Sequence, residues 1–147
     1  MNAIDAFVEG ARNGMSIALK TTIPNILFAF VLIEVLNISG VLSLIGTVFA
    51  PIMGIFGLPG EAATVLAAAF MSMGGGVGVA VGLLANGDLL PIHIPIILPA
   101  IYLMGSQIQF IGRIGGAAEL PTKYTPHIVI ISILNAFACM FVMSLIF

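Results

Sequence analysis

Residues Gly57–Asp88 read GLPGEAATVLAAAFMSMGGGVGVAVGLLANGD and decide the fold. The stretch is apolar and long enough for a membrane-spanning helix, but residues Ser72–Gly76 interrupt it in the middle with three adjacent glycines. Glycine is a weak helix former, and non-helical backbone at membrane depth survives only where protein buries it or where it lines a watery cavity. Broken helices of this kind bind substrates and ions in transporters. The alternative is a glycine-rich helix that packs closely on its neighbours.

The composition is that of an integral membrane protein with a single domain. Of 147 residues, 61% are hydrophobic and 7% are charged, whereas a soluble domain carries about 25% charged residues. The net charge of −2 is too small to indicate a nucleic acid as partner; the expected partner is the lipid bilayer. Because Cys139 is the lone cysteine, neither an intrachain disulfide nor a cysteine metal cluster is possible.

Residues 1–20 have the pattern of an amphipathic helix. Apolar side chains recur at one-face spacing from Ile4 to Leu19, and polar or charged side chains occupy the other face. Asn2 is a suitable N-cap, and Pro24 is expected to open a new element. We expect the helix to lie in the membrane interface; the alternative is that its apolar face packs on a partner subunit.

Three further stretches are predicted to cross the membrane as helices. They are Pro24–Ile45, Pro91–Gly112 and His127–Phe147, and about 20 residues are enough to cross the roughly 30 Å of hydrocarbon. In the second stretch, Pro95 and Pro99 each remove a helical hydrogen bond, so its first half is expected to be kinked or partly unwound.

Polar side chains inside these apolar stretches are candidate ligand-binding residues. A carboxylate at the centre of a membrane helix costs roughly 2.5–3.5 kcal/mol on insertion scales unless it is paired or hydrated, so it is expected to face protein or a cavity. Glu34 and Asn37 are three residues apart and share a helical face; the alternative is that Glu34 lies near the membrane surface. Glu61 follows the Gly57–Gly60 turn, and both glutamates are candidates for a coupling proton or sodium ion.

The positive charges favour a re-entrant hairpin over residues 57–88. Lysine and arginine prefer the cytoplasmic side of a membrane. If the stretch enters and leaves on one side and the N-terminus is cytoplasmic, Arg12, Lys20, Arg113 and Lys123 are all cytoplasmic; a single crossing would place the last two outside. The predicted fold class is therefore an all-α integral membrane protein in two parts. These are the amphipathic helix 1–20, and a membrane domain 22–147 with about three full transmembrane helices and the hairpin.

The turn Gly57–Gly60, the break Ser72–Gly76 and the later polar segment Gly105–Gln107 together resemble a known family, the Gate or nucleoside-recognition domain. Spore maturation proteins A and B, concentrative nucleoside transporters and the membrane part of the bacterial ferrous iron transporter share this domain. The likeness is to the spore maturation protein B type and covers residues 22–147. It implies half of an inverted-repeat assembly, in which the tip of each Gate hairpin helps to form a central site.

By this resemblance, Ser72–Gly76 is the hairpin tip and Gly105–Gln109 belongs to a facing unwound helix. Arg113 would close the site or fix the cytoplasmic end. The implied partner is a second Gate-domain membrane protein, of the spore maturation protein A or YjiH type, or a copy of the chain itself. The candidate ligand-binding residues are Glu34, Asn37, Glu61, Ser72, Met73, Gly74, Gly75, Gly76, Gln107, Gln109 and Arg113.

The sequence predicts a transporter subunit rather than an enzyme. It shows no nucleophile elbow, no phosphate loop followed by lysine and no paired histidines at metal spacing, so no catalytic residue, cofactor or metal is expected. The iron transporter carries a cysteine near its hairpin tip, where this chain has Ser72 and Met73, which argues against iron. The predicted function is movement of a small polar solute (nucleoside-like, amino-acid-like or a small organic ion) across the bacterial inner membrane. The alternative is a structural or regulatory subunit with no transport of its own.

Overall fold

The computed structural model describes residues 2–107, 110–111 and 121–147. Throughout these ranges the regular elements are helical, as predicted. Short 3-10 turns lie at Gly54–Phe56, Pro91–His93 and Thr122–Tyr124. The helices, in chain order, are α1 (Ala3–Ile17), α2 (Ile23–Ile38), α3 (Val41–Met53), α4 (Ala62–Met71), α5 (Met73–Asn86), α6 (Ile94–Leu103) and α7 (Thr125–Ser144).

Pro24 lies in the first turn of a new helical element, α2, as the sequence predicts, but no break separates α2 from the N-terminal helix. The N-terminal helix begins as predicted at Asn2, whose side chain accepts a hydrogen bond from the Asp5 N–H (2.9 Å). It then passes through a π-helical turn at Ala18–Thr22 directly into α2. Proline lacks an N–H and its ring crowds the carbonyl four residues back, and the wider π turn just before Pro24 accommodates that ring. The continuous helix Ala3–Ile38 is long and apolar enough to cross a membrane.

Two of the three predicted membrane spans are interrupted. The first ends at Ile38, because Gly40 adopts a left-handed conformation (φ 74°) and α3 starts after it. The second leaves the helix at Met104–Ser106, beyond α6. Its unwinding is therefore not at the prolines, because Pro95 occupies the first turn of α6, where a missing N–H costs little. The third span is confirmed as a single long apolar helix, α7.

Helices α4 and α5 fold back on one another. A Cβ placed on Gly76 would lie 2.6 Å from the Ala69 Cβ, so the two helices touch at this glycine. The helices have 10 and 14 residues, which correspond to about 15 and 21 Å, less than the roughly 30 Å of hydrocarbon. Residues 62–86 therefore form a pair of short helices rather than one long helix.

The break between α4 and α5 is shorter than predicted. Of the predicted break Ser72–Gly76, only Ser72 is extended (φ −156°, ψ 127°), and α5 starts at Met73. The glycines form the first turn of α5 because the Ser72 Oγ caps the helix and accepts a hydrogen bond from the Gly75 N–H (3.4 Å). Of these glycines, Gly76 is closely packed against α4, whereas a Cβ on Gly74 or Gly75 would make only ordinary contacts.

The buried core lies where the α4–α5 pair meets α3, α6 and α7. The Phe56 and Phe137 rings stack across it with their centroids 5.7 Å apart. By contrast, the described side chains of α1 and α2 are mostly exposed and apolar, as expected for a surface that faces lipid. The fully buried side chains include Ala62, Val65, Ala69, Leu83, Ile97, Ala100, Ala136 and Met140.

Candidate functional site at the hairpin tip

The break between α4 and α5 interrupts the helical hydrogen bonds that Met73, Gly74 and Gly75 would donate, and the first of these has both of its groups bound elsewhere. In a continuous helix the Met73 N–H would donate to the Ala69 carbonyl, four residues earlier. In this structure Ser106 lies between them: its N–H donates to the Ala69 carbonyl (2.7 Å), and its Oγ accepts from the Met73 N–H (2.9 Å). The helical ladder resumes at once, since the Gly76 N–H donates to the Ser72 carbonyl (2.9 Å).

The chain after α6 reaches the tip through an unwound segment. Ser106 has a left-handed conformation (φ 58°), and Gly105 packs so closely that a Cβ on it would overlap the Ile101 carbonyl and lie 3.2 Å from the Met73 Cβ. The Phe110 N–H donates to the Ser106 carbonyl (2.9 Å), where a helical turn resumes. The segment that the resemblance assigned to a facing unwound helix thus meets the tip at Gly105 and Ser106.

A cavity of about 360 Å³ lies at this junction, which we call the tip cavity. Three interruptions of regular helix meet there: the π turn at Ala18–Thr22, the break at Ser72 and the unwound segment Met104–Ser106. Hydroxyl groups from all three parts of the chain face it, and among the described residues no lining side chain carries a formal charge. Its lining residues are Thr21, Thr22, Ile26, Ser72, Met73, Gly74, Val77, Tyr102 and Ser106.

The first turn of α5 presents backbone N–H groups at the tip cavity. Serine hydroxyls accept from two of them: Ser106 from Met73 and Ser72 from Gly75. Among the described residues, the Gly74 N–H has no hydrogen-bond partner, and Gly74 lines the cavity without a side chain. The N-terminus of a helix favours negative charge or acceptor groups because its N–H groups and dipole point outward.

Five of the predicted ligand-binding residues are at or next to the tip. Ser72, Met73 and Gly74 line the cavity. Gly75 lies just behind, where a Cβ would be 3.5 Å from the Ser72 Cβ, and Gly76 packs on α4. Gln107 is buried directly after the unwound segment. Two further candidates that follow Gln107 in the chain, Gln109 and Arg113, lie outside the described residues.

The structure does not bring Glu34 to the tip. It lines a separate hollow of about 320 Å³ beside Gly82 and Asn86 at the end of α5, whereas Thr22 faces the start of α5. Helices α2 and α5 therefore run in the same direction. Twelve residues separate Glu34 from Thr22, which is about 18 Å along the helix. Asn37 is exposed in the last turn of α2.

Glu61 also lies away from the tip, at the other end of α4. Ten residues separate it from Met71, about 15 Å along a helix. Its carboxylate packs against Gly46 of α3, and a Cβ on Gly60 would overlap the Gly46 backbone. The Glu61 carbonyl accepts a hydrogen bond from the Thr64 hydroxyl (2.6 Å). Glu61 thus belongs to the contact between α3 and the base of the α4–α5 pair.

Sequence reasoning missed Thr21, Thr22 and Tyr102. The only local signal was the pair of threonines immediately before Ile23-Pro24 in an otherwise apolar stretch, since polar side chains there are unusual without a partner or a cavity. Tyr102 lies in the last turn of α6, and the sequence does not show which face of that helix meets the hairpin.

Comparisons with known proteins identify the family of the chain. The model of the Gate family, described as nucleoside recognition, matches residues 19–147. The inner membrane protein YjiG of Escherichia coli strain K12 is 48% identical over 145 residues, which cover 99% of this chain and 95% of the relative. The YjiG proteins of strains O157:H7 and O6:H1 match equally well. No solved structure matches the chain.

Proposed function

The chain belongs to the Gate (nucleoside recognition) family of membrane proteins, and on that premise we propose that it is a transporter subunit that binds a small polar solute in the tip cavity. One observation supports this most: three interruptions of regular helix, from separate parts of the sequence, meet at one hydroxyl-lined cavity. Interrupted helices in membranes are tolerated where they line a cavity, and such helices form the central sites of many transporters.

In this proposal α4 and α5 form a re-entrant hairpin in the bacterial inner membrane. Each helix is too short to span the bilayer, and the two pack on one another at Gly76 and Ala69. The name of the E. coli relative supports the inner membrane as the location. With the N-terminus in the cytoplasm, Arg12, Lys20 and Lys123 lie on the cytoplasmic side, as the positive-inside rule favours.

The solute is a small polar molecule that uses hydrogen bonds rather than ion pairs at the tip. The cavity offers serine and threonine hydroxyls and the Gly74 N–H, with Tyr102 and Val77 beside them for an apolar or ring portion. A volume of about 360 Å³ is at the lower end of the roughly 300–1,000 Å³ typical of ligand pockets. A nucleoside-like compound, an amino-acid-like compound or a small organic ion is compatible with this lining.

The transporting unit contains two Gate domains in this proposal. The family resemblance implies that a second, inverted Gate domain completes the site at the tip cavity. The partner is a homologous Gate protein or a copy of the chain. Gel filtration with light scattering in detergent tests this: a complex of at least two Gate domains is expected, and a lone, stable monomer would contradict the pairing.

Uptake by membrane vesicles tests the proposed transport. Vesicles that contain the chain and its Gate partner are given radiolabelled nucleosides, amino acids and small organic acids. We expect Gly75→Leu to abolish uptake, because its side chain crowds the Ser72 region, while the complex still assembles. Gly54→Leu is the matched control, since a Cβ on Gly54 meets nothing within 4 Å. Normal uptake by Gly75→Leu would contradict binding at the tip.

The carboxylate on α2 is tested in the same assay. Glu34→Gln is expected to lower uptake if Glu34 carries the coupling ion, and Gln109→Ala is expected to lower it if the facing helix contributes to the site. Glu9→Gln, on the exposed α1 surface, is the control. If no solute accumulates in vesicles that contain both partners, the structural or regulatory alternative replaces the transport proposal.

A further inference from the structure

Ser106 binds both groups of a helical hydrogen bond that is not formed between α4 and α5. Its N–H donates to the Ala69 carbonyl, and its Oγ accepts from the Met73 N–H. These are the two groups that would bond to each other in an unbroken helix. We propose that Ser106 is a positioning residue that acts as a latch: it holds the segment after α6 against the hairpin tip, so that loss of its hydrogen bonds exposes the tip.

The backbone of Ser106 indicates that the hydroxyl matters. Its φ of 58° lies in the left-handed region, which glycine, asparagine and aspartate adopt far more readily than other residues. Glycine would relieve this conformation, but it would leave the Met73 N–H without its acceptor. Serine at this position therefore supplies a hydrogen-bond acceptor, although its backbone must adopt a left-handed conformation that serine disfavours.

Ser106 joins three separate elements through its three polar groups. Its N–H binds α4, its Oγ binds α5, and its carbonyl accepts from the Phe110 N–H (2.9 Å) as the chain turns helical again. If Ser106 withdraws, the Ala69 carbonyl and the Met73 N–H both lose their partners. Unpaired polar groups in a low-dielectric site are costly, so these two would bind each other or a ligand. The latch therefore has two distinct states.

The latch also faces the solute, and this part of the inference rests on the proposed function. Ser106 lines the tip cavity, and within the described ranges its hydroxyl accepts from the Met73 N–H and donates no hydrogen bond. The hydroxyl can therefore accept from the Met73 N–H and donate to a bound solute at the same time. Solute binding and the position of the hairpin tip are then coupled through one side chain.

Accessibility of a thiol at the tip tests the latch without any solute. The full chain is placed in membrane vesicles as Cys139→Ala with Gly74→Cys, a position where a Cβ meets only the Ser72 Oγ at 4.0 Å. The measured quantity is the rate of modification by a small, water-soluble methanethiosulfonate. Ser106→Ala and Ser106→Gly both remove the hydroxyl that accepts from the Met73 N–H. Glycine also adopts the left-handed conformation without strain, so Ser106→Gly still tests the latch if Ser106→Ala folds poorly. Ser132→Ala is the matched control, because that buried hydroxyl donates only to the Val129 carbonyl of its own helix (2.9 Å).

We expect both acceptor-deleting variants to raise the modification rate about fivefold, or about 1 kcal/mol at 1.4 kcal/mol per factor of ten. Ser106→Asn should remain within about twofold of the parent, because asparagine tolerates the left-handed region and its side-chain oxygen can accept from the Met73 N–H. Rates within about twofold of the parent for Ser106→Gly, or an equal rise for Ser106→Asn, would overturn the latch. A parent that takes up no solute contradicts the proposed function and leaves this result standing.

Discussion

At the scale of single residues, the close contact between Gly76 and Ala69 holds the α4–α5 pair together. A Cβ on Gly76 would lie 2.6 Å from the Ala69 Cβ and 2.8 Å from its Cα, and the Ala69 backbone cannot move aside cheaply. Glycine is needed at this position for lack of a side chain rather than for an unusual φ, because Gly76 is helical. The contact therefore sets how closely α5 approaches α4.

We expect Gly76→Leu to destabilise the protein by about 1–3 kcal/mol, the usual cost of overpacking a tight contact. Gly74→Ala, two residues earlier, is the matched control and should be tolerated, since its Cβ meets only the Ser72 Oγ at 4.0 Å. Thermal unfolding in detergent measures both. Equal midpoints for the two variants would contradict the close contact between the helices.

At the residue scale, the structure also shows why the sequence predicted the conformation of Gly74, Gly75 and Gly76 only in part. The sequence placed the break within Ser72–Gly76, and the structure has it at Ser72, the first residue of that range. The sequence did not reveal that the glycines are helical, because their low helix propensity is outweighed by the Ser72 cap and by the contact of Gly76 with Ala69. A weak helix former can be required in a helix when a neighbouring backbone is close.

At the scale of elements, the π turn at Ala18–Thr22 connects the N-terminal helix to the tip cavity. Thr21 and Thr22 in this turn line the cavity, directly before Pro24. A π turn widens the helix by one residue, and such turns are frequent at functional sites. The element boundary that the sequence placed before Pro24 is thus a local widening inside one continuous helix.

We expect Pro24→Ala to raise the unfolding temperature and to lower solute uptake. The substitution restores an N–H in a helix where proline costs up to about 3 kcal/mol. Return to α-helical winding would turn the threonines by about 100° relative to α2, away from the cavity. Uptake in vesicles and thermal unfolding check the two effects. Wild-type uptake in a stabilised variant would show that the π turn does not contribute to the site.

The local sequence pattern of residues 91–112 does not show where the chain unwinds after α6. Prolines suggested unwinding in the first half of residues 91–112, but Pro95 is harmless in a first turn. The actual interruption at Met104–Ser106 exists because Ser106 bonds to Ala69 and Met73, more than 30 positions away. Hydrogen bonds over such separations leave no local pattern, and only the family resemblance pointed to this segment.

At the scale of the whole molecule, composition and hydrophobic patterning predicted the all-α class and the membrane setting. The count of about three full transmembrane helices stays a prediction: among the described residues, Ala3–Ile38 and α7 are long and apolar enough to cross a membrane. The site was predicted in part, since Ser72, Met73 and Gly74 line the tip cavity and Glu34 and Glu61 lie well away from it. The helix break marked Ser72, Met73 and Gly74, and polar character marked the two glutamates. Neither signal shows which of these residues lie together, because that depends on how the helices pack.

The central claim at this scale is that α4 and α5 form a re-entrant hairpin whose two ends lie on the same side of the membrane. If α4 and α5 enter and leave the membrane on the same side, both ends of the pair are on that side. The exposed Ile55, just before the hairpin, and the exposed Asn86, at its end, report these two positions. A helix that crosses once would place them on opposite faces.

Cysteine labelling from each side of the membrane tests this most directly. In the Cys139→Ala background, Ile55→Cys and Asn86→Cys are treated with an impermeant maleimide, in intact spheroplasts and in inverted vesicles. We predict that both thiols react in spheroplasts and that neither reacts in inverted vesicles. Labelling of one position in spheroplasts and of the other only in inverted vesicles would contradict the re-entrant hairpin.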